Sequence, residues 1–358
     1  MSQFHSLTIK EVRLETRDAV SLSFELPEAL KNAYSFTQGQ YLTLRTKIDG
    51  EEVRRSYSIC TGINDQDLRV AIKKVPGGVF STFANEQLKA GQVIDVMPPQ
   101  GKFFTQIDPQ HEGNYLAIAA GSGITPVLSI IKSTLETEPK SKFTLFYGNY
   151  STSSTMFREQ LSDLKNQYMQ RLNLVFIFNR EQQDIELYNG IIDSEKCDAL
   201  FEQWVKPADL TAAFICGPLQ MTETVSESLQ RHGMDKSKVH YELFTPAGGA
   251  SVSRQDRPET KIDNKAVSSI TVISDGRSLG FELVRNTKSI LDAGNEIGAD
   301  LPYSCKAGVC STCRAKVVEG EVEMDSNYAL EDYEVAAGYV LSCQCYPVSD
   351  KVVLDYDQ

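Results

Sequence analysis

The sequence lacks any apolar run long enough to span a bilayer, and its N-terminus lacks a charged and then apolar leader. We therefore expect a cytoplasmic protein. An excess of positive charge is also missing, since 36 Lys and Arg stand against 48 Asp and Glu, and this argues against nucleic acid as a partner. No internal repeat is visible.

The composition predicts a soluble protein of two or three domains. The chain has 358 residues, too many for one ordinary core, and 41% of them are apolar and 23% charged. Most of the net charge of −12 lies near the end, because residues 267 to 358 carry 7 basic and 15 acidic side chains. Such a surface suits a basic docking face on another protein, and it equally suits solubility alone.

Five of the eight cysteines lie close to the C-terminus with the spacing of metal ligands. Cys305, Cys310 and Cys313 form a C-x4-C-x2-C run, and Cys343 and Cys345 follow downstream. This is the plant-type spacing for a 2Fe-2S cluster held by four thiolates. A structural zinc site is the main alternative, but zinc usually takes two C-x2-C pairs and this chain has one.

The loop between these cysteines contains small residues. Ala307, Gly308 and Ser311 let the backbone approach an inorganic core and aim N–H groups at sulfur. Cys343 and Cys345 alternate along a predicted strand, so only one of them can reach the metal. The remaining cysteines are scattered, which fits a reducing compartment.

The first hundred residues show short runs of alternating polarity separated by turn residues, a pattern typical of an antiparallel barrel or sandwich. The predicted strands are 7–9, 20–24, 41–44, 56–59 and 68–72.

Two stretches in this region suggest chemistry. Arg55-Ser56-Tyr57-Ser58 places a cation, an aromatic face and a hydroxyl along one strand. Gly77-Gly78-Val79-Phe80-Ser81 opens a helical pattern, where free N–H groups and a hydroxyl can face an anion. Each stretch alone also fits ordinary strand packing or a turn.

Residues 115 to 244 change to strands that alternate with helices, which predicts a parallel sheet covered on both faces, with ligands at the carboxyl ends of its strands. The turn Gly121-Ser122-Gly123 follows the first strand, with Pro126 early in the next helix. It is placed to hold a dinucleotide pyrophosphate, although it lacks the third glycine of the usual fingerprint. The predicted strands are 115–119, 143–147, 172–178, 212–216 and 239–244.

Residues 245 to 266 are rich in Pro, Gly, Ser and charge and are interpreted as a linker. Beyond them we expect a hairpin from 269–273 and 281–284, a helix over 289–297, and late strands at 315–318 and 352–354.

These motifs, in this order, resemble the ferredoxin-NADP reductase family with a plant-type ferredoxin domain fused behind it, over essentially the whole chain. The resemblance implies a multidomain protein. An antiparallel β-barrel binds FAD (1–110), an α/β parallel-sheet domain binds NAD(P) (111–245), a linker follows (246–266), and a β-grasp ferredoxin-like domain holds the 2Fe-2S cluster (267–358).

The same resemblance assigns the flavin residues. It implies Arg55 on the pyrophosphate, Tyr57 against the isoalloxazine ring and the Ser58 hydroxyl near flavin N5. The full flavin set is Arg55, Ser56, Tyr57, Ser58, Gly77, Gly78 and Ser81.

It also assigns the nucleotide and metal residues. Ser58, Cys216 and Glu242 are the expected catalytic residues, which position and stabilise the reacting groups, with Cys216 beside the nicotinamide. Among the possible cluster ligands it favours Cys343 over Cys345. The nucleotide set is Gly121, Gly123, Thr125, Pro126, Arg180, Gly217, Pro218 and Met221, with Phe244 next to the flavin; the metal set is Cys305, Cys310, Cys313 and Cys343.

The nucleotide preference depends on two positions. Relatives often carry an arginine where this chain has Tyr150, which weakens one contact to a 2′-phosphate. Asn179-Arg180-Glu181-Gln182 resembles the family's phosphate-binding segment, and Arg180 can supply a bidentate guanidinium. NADPH is expected over NADH.

The domain order resembles that of oxygenase reductase components, and residues 4–8, 54–60 and 336–344 most resemble the branch that serves phenylacetyl-CoA epoxidases in phenylacetate degradation. The implied function is to pass electrons from NADPH through FAD and the cluster to a separate di-iron oxygenase. Reductases of Rieske oxygenases or hybrid-cluster proteins share most of these motifs. Two different classes of function also stay open, namely a stand-alone diaphorase and a non-enzymatic iron–sulfur protein.

Overall fold

A computed structural model of the protein describes residues 4–244 and 266–358. The chain divides into two compact units, which are described separately. The larger comprises Phe4–Val53 and Tyr57–Phe244, and the smaller consists mainly of residues 266–358. The predicted linker at 246–266 lies outside the described residues, apart from residue 266. No helix within the described ranges is long and apolar enough to cross a membrane.

The first part of the larger unit is a six-stranded antiparallel sheet with the strand order β4-β3-β6-β1-β2-β5. All five predicted strands are present, and β6 escapes prediction because it is only four residues long. The inward side chains of these strands form one core, which α1 covers. The elements are β1 (His5–Thr16), β2 (Ala19–Glu25), β3 (Tyr41–Ile48), β4 (Glu51–Ser58), β5 (Leu68–Lys73), α1 (Val79–Glu86) and β6 (Val93–Val96).

The second part of the larger unit alternates strands and helices, as predicted. Its elements are β7 (Asn114–Ala120), α2 (Ile124–Thr137), β8 (Lys142–Asn149), α3 (Arg158–Gln167), β9 (Leu172–Phe178), α4 (Ser194–Trp204), β10 (Ala212–Gly217), α5 (Leu219–Arg231) and β11 (Val239–Leu243).

The five strands form a parallel sheet in the order β11-β10-β7-β8-β9. One face packs against α2 and α3, and the other against α4 and α5. The central strand β7 is apolar on both faces for this reason. The order reverses at β7, so the carboxyl ends of β7 and β10 flank the crevice where ligands bind in such sheets.

The smaller unit is a β-grasp domain with the strand order β13-β12-β18-β14-β16 and a separate β15-β17 pair. The expected hairpin is β12 with β13, and Ser289 caps α6 by accepting a hydrogen bond from the Asp292 N–H. The elements are β12 (Val267–Ser274), β13 (Arg277–Val284), α6 (Ile290–Glu296), β14 (Arg314–Glu319), β15 (Val322–Met324), α7 (Asp332–Ala336), β16 (Tyr339–Leu341), β17 (Cys345–Pro347) and β18 (Lys351–Asp355).

One local prediction in this unit is wrong. Cys343 and Cys345 do not alternate along a strand, because Ser342–Gln344 forms a 3-10 turn and β17 begins only at Cys345. Both cysteines are buried. The choice between them therefore rests on which cysteine neighbours the remaining ligands, not on strand alternation.

Candidate functional site

Two predicted residues lie side by side at the carboxyl end of the parallel sheet. Cys216 on β10 and Glu242 on β11 are register partners on neighbouring strands. Burial and the nearby Glu242 charge raise the pKa of the Cys216 thiol well above its usual range. At neutral pH this thiol is protonated and is a neutral packing group, not a nucleophile.

Ser58, which belongs to the antiparallel sheet, lies next to Glu242. Its hydroxyl, at the end of β4, donates to Glu242 Oε2 at 3.1 Å. Burial raises the pKa of Glu242 to about 7, and the Ser58 hydrogen bond opposes that rise. Glu242 is therefore a carboxyl group poised to hold or release a proton near neutral pH.

The glycine turn after β7 is packed against the same residues. Gly121–Gly123 forms a 3-10 turn, and a Cβ atom at Gly123 would lie 2.1 Å from the Cys216 carbonyl oxygen. Tyr147 Oη donates to the Gly121 carbonyl at 2.9 Å from the opposite side. Only glycine at position 123 allows the turn to approach the Cys216 backbone this closely. The turn therefore fits between β10 and β8.

Two helices point their N-termini at this crevice. Thr125 and Pro126 lie in the first turn of α2, whose N-cap residue Gly123 offers no capping side chain. Helix α5 begins after Gly217 and Pro218, which also gives no side-chain cap. Helix N-termini without capping side chains suit the phosphates of a dinucleotide.

The first turn of α5 contains a second indication of a polar ligand. Thr222 Oγ1 is buried and finds no hydrogen-bond partner within the described ranges. Met221 packs its terminal methyl against Gly217, where a Cβ atom would lie 2.5 Å from it. The residues present thus fit a nicotinamide nucleotide.

The flavin residues predicted on β4 alternate along that strand. Arg55, Ser56 and Tyr57 are half-buried, and the Tyr57 ring packs against Phe80 with centroids 5.5 Å apart. Phe244 follows β11 and is also half-buried. Their partly exposed aromatic faces fit a flat ring system such as isoalloxazine.

The second flavin motif forms the entry to α1. Gly77 has a φ of 73°, and Gly78 is the N-cap residue of the helix. The Ser81 hydroxyl is buried, accepts from the Val75 N–H at 3.2 Å and donates to the Gly78 carbonyl. Ser81 thus shapes the loop, and the first N–H groups of α1 are the groups left to face a phosphate.

Arg180 follows β9 beside Tyr150, which follows β8. Its guanidinium lies 4.1 Å from the Tyr150 ring centroid, and its backbone N–H donates to the Tyr150 carbonyl at 2.9 Å. The Glu181 carboxylate accepts from the Thr152 N–H and hydroxyl at 2.7 and 2.6 Å. Arg180 is exposed, so a bound phosphate can reach it.

The predicted metal ligands stand as two pairs. Cys310 Sγ donates to Cys305 Sγ at 3.1 Å, and the neighbouring Cys343 raises the pKa of the Cys313 thiol. A 2Fe-2S cluster needs two thiolates on each iron, so this pairing fits it. The described residues contain no group of three His, Cys, Asp or Glu side chains placed to hold one metal ion.

The backbone of the cysteine loop is arranged for a thiolate. The Ala307 N–H donates to Cys305 Sγ at 3.4 Å, and the hydrogen bonds from Cys310 and the loop backbone lower the pKa of Cys305. Gly308 has a φ of 75°, and a Cβ atom there would lie 2.7 Å from the Ser326 carbonyl oxygen.

Family models cover the chain in three segments. The model described as an oxidoreductase FAD-binding domain matches residues 6–105, an oxidoreductase NAD-binding domain matches 117–227, and a 2Fe-2S iron–sulfur cluster binding domain matches 272–348. The class of protein is therefore an NAD(P)H oxidoreductase that joins flavin, nucleotide and iron–sulfur domains.

Comparison of whole chains identifies the family within this class. The sequence is 48% identical over 358 residues to a subunit of the 1,2-phenylacetyl-CoA epoxidase of Escherichia coli strain K12, covering 100% of this chain and 99% of that one. This chain belongs to the family of that epoxidase subunit. It is 33% identical to the ferredoxin reductase component of 3-ketosteroid-9-alpha-monooxygenase from Rhodococcus rhodochrous, covering 98% and 96%.

Solved structures agree on the fold. Phthalate dioxygenase reductase superposes with a TM-score of 0.59 at 22% identity, covering 98% of both chains. An intact type IV self-sufficient cytochrome P450 monooxygenase gives a TM-score of 0.68 at 19% identity, covering 98% of this chain and 41% of that one.

The amino-acid sequence does not indicate the role of two residues in the site. Tyr147 belongs to a strand predicted from its apolar character, yet its hydroxyl supports the Gly121 turn. Gln344, between Cys343 and Cys345, contacts the cysteine loop through its side chain. A buried tyrosine or glutamine needs a hydrogen-bond partner, but only the folded chain identifies which one.

Proposed function

We propose that this chain is the reductase component of a phenylacetyl-CoA epoxidase and delivers electrons from NADPH to a separate di-iron oxygenase. The observation that carries the proposal is the 48% identity to the epoxidase subunit over essentially both full lengths. FAD, when bound, accepts two electrons from the nicotinamide and releases them singly, and the cluster carries them one at a time.

The domains are proposed at the boundaries that the motifs suggest. FAD is assigned to residues 1–110, NAD(P) to 111–245 and the cluster to 267–358, with 246–266 as the linker. The family-model matches at 6–105, 117–227 and 272–348 each fall inside one of these ranges and support the division.

The residues at the sheet crevice are proposed to position the two ring systems. Glu242 accepts a hydrogen bond from Ser58, and Cys216 fills the space beside the glycine turn. These residues position a nicotinamide bound there, and none of them acts as a nucleophile. Ser58 and Cys216 are buried and Glu242 is half-buried, so together they limit the access of bulk water to the reacting atoms. The partly neutral Glu242 limits the cost of placing a carboxyl group there.

NADPH is proposed over NADH because Arg180 is exposed and stacked on Tyr150, ready to accept a 2′-phosphate. Replacing Arg180 with alanine should lower kcat/KM for NADPH about tenfold or more and leave the value for NADH within about twofold. Arg231→Ala is the control, because Arg231, the exposed last residue of α5, donates to Asp198 on α4. Equal losses with both nucleotides would contradict the assignment.

Docking of the oxygenase is proposed on the ferredoxin-like domain, whose 15 acidic and 7 basic side chains favour a basic partner face. Co-purification with identification of the bound subunits tests both partner and substrate. Di-iron subunits support the proposal. A Rieske oxygenase or a hybrid-cluster protein would replace it, and the 33% identity to the ketosteroid monooxygenase component makes that reductase role the second candidate.

Chemical analysis of the purified protein tests the electron pathway directly. The proposal requires one FAD, two irons and two acid-labile sulfides per chain, and flavin absorbance that bleaches when NADPH is added. Zinc in place of iron, or no bleaching, would exclude the pathway. A high rate with ferric chelates or quinones that the oxygenase does not increase would favour a stand-alone diaphorase. We also propose a cytoplasmic location, in line with eight cysteines that form no disulfide within the described residues.

A further inference from the structure

The side chain of Gln344 joins the two segments that carry the cluster ligands. Gln344 is 7% exposed and ends the Ser342–Gln344 turn, directly after Cys343. Its Nε2 donates to the Lys306 carbonyl at 3.0 Å, and Lys306 directly follows Cys305. One amide group thus links the loop of the first three cysteines to the turn of the fourth.

The same amide group also faces a ligand sulfur. Gln344 Nε2 lies 3.8 Å from Cys343 Sγ and 3.2 Å from the Cys343 carbonyl. A side-chain amide has two N–H groups, so one can serve Lys306 while the second is shared between the carbonyl oxygen and the sulfur of Cys343. A separation of 3.8 Å would be too long for a hydrogen bond to oxygen, but it is within the range of hydrogen bonds to the larger sulfur atom.

The surroundings hold Gln344 in this position. Its backbone carbonyl accepts from the Asp325 N–H at 3.0 Å, and a Cβ atom at Gly308 would lie 3.3 Å from Gln344 Cγ. Lys306 has a φ of 53°, an unfavourable conformation for a residue with a Cβ atom. The hydrogen bond to its carbonyl helps to maintain that conformation.

We propose that Gln344 is a positioning residue of the 2Fe-2S cluster, which holds the Lys306 carbonyl and donates an N–H to the Cys343 sulfur, and so raises the cluster's reduction potential. The proposal rests on the iron–sulfur function. Reduction adds negative charge to the cluster and its thiolates, and a donated hydrogen bond stabilises the more negative state. Gln344 thereby makes the cluster a better acceptor from the flavin.

The test is an EPR-monitored redox titration of the intact holoprotein and of Gln344→Met, which keeps the side-chain length and removes the donor. At a fixed potential near the midpoint, the variant should show a reduced-to-oxidised ratio about threefold to tenfold lower, tenfold being 59 mV for one electron. Gln38→Met is the matched control. Gln38 is also buried, and its amide donates to the Thr105 carbonyl at 2.8 Å in the larger unit.

An unchanged midpoint potential in Gln344→Met, with the cluster retained, would overturn the proposal. A second measurement does not depend on the variant. Wild-type protein labelled with 15N in the glutamine side chains should show a 15N hyperfine coupling to the reduced cluster, and no such coupling would also overturn it. Protein that contains no two-iron cluster would instead contradict the electron pathway itself, so the two failures are distinguishable.

Discussion

Glu242 lies in an environment that favours its neutral form. Burial raises its pKa from 4.5 to about 7. Between these two values an unfolded chain has released the proton while the folded protein keeps it, so the free energy of unfolding falls as pH rises through this window. Above about pH 7 both states are ionised and the loss is complete.

Glu242→Gln should therefore remove a pH-dependent loss of stability. The free energies of unfolding of wild type and variant, measured in urea, should diverge from about pH 4.5 to 7 and differ by a constant amount above pH 7. The variant's advantage should reach on the order of 2 kcal/mol, less than the full shift implies because Glu242 is only half-buried by surface area. In Ser58→Ala the window should extend upward, since the hydrogen bond that lowers the pKa is lost. A pH-independent difference would contradict this account.

Gly123 is a second residue whose identity is dictated by space. A Cβ atom there would lie 2.1 Å from the Cys216 carbonyl oxygen, and a backbone atom cannot move aside cheaply. Gly123→Ala should destabilise the larger unit by about 2 kcal/mol or more and weaken NADPH binding at least tenfold, measured by thermal unfolding and by titration.

Gly148→Ala is the matched control for Gly123→Ala. Gly148 lies on β8 of the same sheet, but its added Cβ atom would meet the flexible tip of Ile192 at 3.2 Å. We expect a loss below about 1 kcal/mol and little change in nucleotide binding. Equal effects of the two substitutions would show that the glycine turn has no special role.

At the scale of elements, the segment between β6 and β7 is tied to the end of α2 by one buried carboxyl group. Glu138 is 0% exposed and accepts from Tyr115 Oη at 3.0 Å, from Ser141 Oγ at 2.6 Å and from the Asp108 N–H at 3.2 Å. These bonds join the start of β7, the end of α2 and the connecting segment.

Glu138→Ala should therefore remove the acceptor of two buried donors, the Tyr115 and Ser141 hydroxyls. The free energy of unfolding should fall by about 2–4 kcal/mol, and the midpoint temperature of thermally induced flavin release should fall with it. Tyr115→Phe removes a single donor and should cost about 1 kcal/mol. A loss in Glu138→Ala no larger than in Tyr115→Phe would mean that the carboxyl group does not organise these elements.

At the scale of the whole molecule, the predicted crevice residues and the predicted cluster ligands fall in different compact units. Ser58, Cys216 and Glu242 belong to the larger unit, and all four predicted cluster ligands belong to the smaller one. Damage to the cluster should therefore leave the reaction between nucleotide and flavin intact.

Cys313→Ser should abolish single-electron delivery to the oxygenase and leave the bleaching of flavin by NADPH within about twofold of wild type. Stopped-flow absorbance and reduction of the partner measure the two steps separately. Cys197→Ser is the control, because Cys197 is buried in α4 within the larger unit. Slow bleaching in Cys313→Ser but not in the control would show that the two units do not act independently.

Much of the fold can be predicted because the signals are local. The parallel strands are predictable because burial on both faces makes them short apolar runs, as in 115–119 and 172–178. Strand β6 escapes prediction because four residues, with Val93 exposed and Asp95 half-buried, carry too little pattern. The 3-10 turn at Cys343 resembles a strand in sequence because alternation over three residues does not separate the two.

The cluster ligands and the phosphate-binding turns can be predicted from the amino-acid sequence alone, because a C-x4-C-x2-C spacing and glycine-rich helix entries act over a few residues and do not depend on distant contacts; FAD is implied by the resemblance of these motifs to a known family. The meeting of Ser58, Cys216 and Glu242 depends instead on the folded chain, since they come from three strands whose register is set by packing across the larger unit. The same holds for Gln344, whose amide reaches Lys306 only because the β-grasp fold brings residues 38 positions apart into contact.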